Sequence, residues 1–140
     1  MSIEIIHLVA TAFMAGVIVF VQVVHYPLMG RVGSESFPSY QAGHVVRTGF
    51  VVVPAMLVEL ASAVWIVVGA SGGAAWNTAL LGLVLLGVIW VSTALLQAPA
   101  HGRLEQAFDV DVHTGLVRWN WIRTVAWIAR VPVAVFLVVG

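Results

Sequence analysis

The chain has 140 residues, of which 61% are hydrophobic and 9% charged, and its six basic and six acidic residues cancel. A soluble domain of this size has too little interior to hide so much apolar side chain, so a soluble enzyme and a disordered chain are both excluded. The zero net charge argues against a nucleic-acid binder, and with no cysteine there are no disulfides, thiolate metal sites or iron–sulfur clusters. The composition reads as one all-α membrane domain over residues 1–140, a four-transmembrane-helix bundle. Each span needs about 20 apolar residues. The first runs from about residue 3 to 26 and is interrupted by His7, Gln22 and His25. Ala10-Thr11-Ala12 has the form of a cleavage site, but no basic residue precedes Arg31 and the apolar run continues, so a retained helix is expected. Pro27, Gly30 and Gly33 break the chain; Ser34 or Ser36 is placed to cap the next helix, with Pro38 in its first turn. The second span, about 45–69, holds Pro54 and Glu59, and its helix is expected to begin before the bilayer. Ser71-Gly72-Gly73 predicts a tight turn. The third span, about 77–98, carries no formal charge; a polar connection is expected over 102–115. The fourth, about 116–139, carries Arg118, Arg123, Arg130 and Pro132.

Arg31, Arg47, Arg103 and Arg118 lie in or beside the first and third connections. The positive-inside rule therefore puts those connections in the cytoplasm and both termini on the non-cytoplasmic side. The polar residues gather toward the same side. Thr93, Gln97, His101 and Glu105 recur every four residues and form one stripe. Gln22 and His25 are three apart, Tyr40, His44 and Arg47 form a second stripe, and Asn120 and Arg123 are three apart. In lipid such groups turn inward or line a wet cavity, so a polar chamber near the cytoplasmic face is expected.

His25, His44 and His101 sit on three helices and are the candidate catalytic set, together with Glu59. Three imidazoles suit a transition metal such as iron or copper, and two can ligate haem. The plainer reading is interfacial histidines bonded to water, headgroups or loop carbonyls. Tyr40, Arg47, Gln97, Asn120 and Arg123 are the candidate substrate-binding residues; an arginine there suits an anionic or carbonyl-bearing ligand, or a phosphate headgroup. Trp119 and Trp121 suit one interfacial belt and Trp76 the other, while Trp90 and Trp127 lie deeper. The single Glu4…His7 pair falls short of a di-iron motif. Asp109-Val110-Asp111 with His113 lacks a calcium loop and reads as polar loop. Glu59 and Arg130 each lie about 13 residues, or roughly 20 Å, along their helices from the inner boundary. Their matching depth predicts an ion pair.

The strings His25-Tyr26-Pro27-Leu28, Pro54-Ala55-Met56-Leu57-Val58-Glu59 and Leu116-Val117-Arg118-Trp119-Asn120-Trp121-Ile122-Arg123-Thr124 resemble a group of small bacterial four-helix membrane proteins of unassigned function. More remotely, the four-span layout with Thr93 and Pro99 ending the third span is similar to anthrone oxygenase-like membrane proteins. Where that family has an Asn after the Pro, this chain has His101. The resemblance implies a multi-pass protein of the bacterial inner membrane, an oxidoreductase or oxygenase acting on a lipophilic aromatic or quinone-like molecule. The alternative is a non-enzymatic haem- or metal-binding protein or an accessory subunit, as a homo-oligomer or with a partner chain.

Overall fold

The structure, a computed structural model, describes residues 2–140. Four long helices account for nearly all of them: α1 (Ile3–Met29), α2 (Phe37–Gly69), α3 (Gly73–Gln106) and α4 (Val110–Val139). Each is long and apolar enough to cross a membrane, as the four predicted spans require. Every helix outruns its predicted span, most of all at the connection expected over 102–115. There α3 continues to Gln106 and α4 starts at Val110. Polarity marks where a helix leaves lipid, not where it stops. Asp109 stops and restarts the chain here: its Oδ1 accepts from the backbone N–H groups of Asp111 (2.9 Å) and Val112 (3.1 Å), satisfying donors that the first helical turn leaves free. The expected polar loop at Asp109–His113 is thus a capped helix start. Ser36 precedes α2 without a side-chain capping bond, and Pro38 sits in the first turn. Gly72 and Gly73 take φ of +96° and +77°, which glycine reaches without a Cβ penalty, and they close the turn between α2 and α3.

The helices form a ring in chain order. Each packs against its sequence neighbours, and α4 closes on α1, whereas the diagonal pairs α1–α3 and α2–α4 hardly approach. Gly82 lets α3 come close to α4: a Cβ there would lie 3.2 Å from the Val133 side chain. The bundle is apolar outside, with Phe50, Trp65, Val68 and Leu95 all more than two-thirds exposed. Inside, Met14, Ile18, Leu86, Ile89 and Leu116 share the core with buried Gln22, Gln41, Glu59, Gln97, Asn120 and Arg130. Water would reverse that distribution; a bilayer accounts for it. The protein is a multi-pass membrane helix bundle.

Two helices change winding at the same end of the bundle. Val21–His25 of α1 and Thr93–Gln97 of α3 are π-helical, and each stretch ends two residues before a proline, Pro27 or Pro99. Proline has no N–H to give the carbonyl four residues back and its ring crowds that carbonyl. A wider turn relieves the crowding. These two stretches carry Gln22, His25, Thr93 and Gln97.

Candidate functional site

The π turn in α3 has a direct effect on the site. A strict four-residue period drifts about 40° per step on a regular helix, and a wider turn lessens the drift. Thr93, Gln97, His101 and Glu105 therefore all line one cavity of ≈ 420 Å³, as their spacing predicts. Its apolar wall is made by Met14, Ile18, Val52, Met56 and Trp127; its polar end by Tyr26, His44, Thr93, Gln97, His101 and Arg123. Val45 and Val53 of α2 and Ala98, Gly102 and Glu105 of α3 also border it, and all five are exposed. The cavity therefore opens sideways between α2 and α3.

The predicted histidines meet here. His101 joins three helices: Gln41 Nε2 donates to its Nδ1 (2.6 Å), and its Nε2 lies 3.0 Å from Tyr26 Oη. With Nδ1 accepting, the ring proton sits on Nε2 and is donated to Tyr26, whose own hydroxyl proton stays free. Tyr26 is 2% exposed and borders the cavity. His44 Nδ1 is shared by His25 Nε2 (3.0 Å) and Thr48 Oγ1 (3.1 Å). The His25 and His44 rings stack at 4.5 Å, and the His44 and His101 centroids are 5.4 Å apart. Among the described residues no group of three His, Cys, Asp or Glu side chains could hold a metal ion; His25 Nε2, His44 Nδ1 and both His101 nitrogens are engaged with one another or with Tyr26, Gln41 and Thr48.

Arg123 is held from behind. Its Nε donates to Asn120 Oδ1 (2.9 Å), its Nη2 donates to the same oxygen, and its Nη1 donates to Thr93 Oγ1 (3.2 Å). Asn120 is fixed in turn by donating to Gln22 Oε1 (2.8 Å), and Gln22 Nε2 donates to the Val117 carbonyl (3.2 Å). Asn120 is fully buried and orients Arg123 without bordering the cavity. Gln97 differs: it is 1% exposed, and neither of its amide atoms has a hydrogen-bond partner.

Four other predicted site residues lie elsewhere. His25, Tyr40 and Arg47 line a second groove that shares His44 and Thr48 with the cavity. Glu59 is fully buried in a separate network. Its Oε1 accepts from Arg130 Nη1 (2.7 Å) and its Oε2 from Trp127 Nε1 (3.1 Å), so the pair expected from matching depth is present. His7 completes the network, with Nε2 3.3 Å from Arg130 Nη2 and Nδ1 2.9 Å from Ser62 Oγ. Trp127 links the halves, since its ring also borders the cavity.

Sequence reasoning passed over Tyr26, Gln41 and His113 as site residues. Gln41 lies three residues before His44 and one after Tyr40, so helical spacing carried a signal for it. His113 is 9% exposed and its Nε2 lies 2.9 Å from the Tyr26 carbonyl, a contact no local pattern reveals. No family model, curated protein or solved structure matches this chain.

Proposed function

We propose that the protein is a membrane oxidoreductase or oxygenase that takes a lipophilic aromatic or quinone-like molecule from the bilayer into this cavity. The observation that carries the reading is Tyr26 held by His101, itself held by Gln41, at the polar end of an otherwise apolar, side-opening cavity. Such pockets, mostly apolar with a few convergent polar groups, suit small molecules. Tyr26 turns its free hydroxyl proton to the ligand oxygen, and the His101 Nε2–H donated to Tyr26 Oη steadies negative charge on the phenolic oxygen during proton transfer. A hydroquinone that is oxidised loses two protons and two electrons; dioxygen takes up both and leaves as hydrogen peroxide. The resemblance to anthrone oxygenase-like proteins points the same way, and the reading places the protein in the bacterial inner membrane with both termini outside.

The test uses the purified chain in detergent micelles, reduced naphthoquinone and dissolved oxygen, with quinone absorbance as the readout. The expected result is oxidation faster than in protein-free micelles, falling by about 100-fold or more in Tyr26→Phe or His101→Asn, the scale of a lost acid–base group. Equal rates with and without protein overturn the oxidoreductase reading.

A further inference from the structure

Arg123 is a buried cation without a counter-ion. It is 9% exposed, and its three hydrogen bonds go to the neutral oxygens of Asn120 and Thr93. Among the described residues the only ion pair joins Arg130 to Glu59, in the separate network. The other titratable groups bordering the cavity are Tyr26 from α1, His44 from α2 and His101 and Glu105 from α3. Glu105 is the only carboxylate among them; it stands at the exposed margin and makes no bond to Arg123. A buried charge left unpaired is heavily penalised.

A guanidinium has five N–H donors. Asn120 and Thr93 take three, and the neutral Tyr26 hydroxyl oxygen lies beside the guanidinium as well, so at least one N–H remains for a ligand. Gln97 borders the same cavity with its amide N–H₂ unpartnered, although it is almost wholly buried. A buried side chain without partners is expensive. Two independent shortfalls, of negative charge and of an acceptor, thus fall in one cavity. A single anionic head meets both.

On the ligand reading above, we propose that the molecule held in this cavity is an anion: a carboxylate or phenolate on a flat lipophilic body. Its oxygens accept from the free N–H of Arg123 and from Gln97 Nε2. Its body lies against Trp127, Met14 and Met56, where no polar group competes. One cation matches one negative charge, so a phosphate dianion is disfavoured.

The experiment is calorimetric titration of the full chain in detergent at about pH 8, where an aromatic carboxylic acid is fully ionised. The probes are naphthoate and its neutral, similar-sized counterpart acetylnaphthalene. Naphthoate should bind about ten-fold tighter or more, the yield of hydrogen bonds to a charged group. In Arg123→Gln that preference should vanish, with acetylnaphthalene affinity changing by less than about two-fold. Gln97→Leu, which replaces the unpartnered amide, serves where Arg123→Gln does not fold and should weaken naphthoate alone. Equal affinity for the two probes in the wild-type protein overturns the anion claim and leaves the ligand reading standing. Binding of neither probe overturns both.

Discussion

At the scale of single residues, the least forgiving positions are buried polar groups that answer only to one another. Glu59 and Arg130 are 0% and 1% exposed, and neither has water to fall back on. Glu59→Gln should strand Arg130 and cost about 3–5 kcal/mol, read as a lower melting midpoint in detergent. Adding Arg130→Met removes the stranded charge and should recover most of that loss. A double variant as damaged as the two single losses combined would show that the residues act independently. Gly30 is unforgiving for a steric reason: a Cβ there would meet His113 Cε1 at 2.7 Å. That ring is held against the Tyr26 carbonyl, so Gly30→Ala should destabilise by about 1–3 kcal/mol. Gly33→Ala, with nothing within 4 Å of the added carbon, should melt close to wild type. The ion pair was legible in the sequence because a charge in an apolar span has few partners and depth alone selects them. His7 and Trp127 were not legible as its other partners. Their contact depends on how each helix is rotated in the bundle, which sequence spacing does not state.

At the scale of helices, the polar groups do what the backbones do not. The diagonal pairs hardly touch, yet Tyr26–His101 ties α1 to α3 and Glu59–Arg130 ties α2 to α4. Each bond crosses the ring at its own level. The π turns lie beside the Tyr26–His101 crossing, where they carry buried Gln22 and the cavity-lining Thr93 and Gln97. Pro99→Ala restores an N–H donor and should let α3 regain regular winding across Thr93–Gln97. Protein stability should hold or rise, while naphthoate affinity drops by about ten-fold, or 1.4 kcal/mol. Unchanged affinity would mean that the π turn does not set the cavity's shape. The four-residue stripe on α3 was readable because period and helix are both local properties. Its π winding was not read, although a proline two residues beyond each stretch was in view. The expected loop over 102–115 failed for a related reason: leaving lipid and leaving the helix are separate events.

At the scale of the whole molecule, four apolar helices carry their polar residues on the inside, as a bilayer demands. The arginine distribution predicts both termini outside the cytoplasm. A C-terminal reporter active only in the cytoplasm should therefore be silent, and strong activity would place the cavity's polar end at the opposite face. The membrane setting was legible from composition and the four-helix layout from four apolar runs of spanning length, because only a membrane tolerates so much apolar surface. The choice of Tyr26 and Gln41 as partners of His101 was not, since it needs the ring closed first. The sideways mouth between α2 and α3 changes what a binding constant means for this protein. On the function proposed above, a ligand admitted there is drawn from the bilayer, so its mole fraction in the lipid, not its molarity in the buffer, sets occupancy. For a strongly partitioning ligand, doubling the lipid at fixed total ligand halves that fraction, and the apparent Kd in molar units should rise about two-fold. Saturation plotted against mole fraction should then fall on one curve for every vesicle concentration.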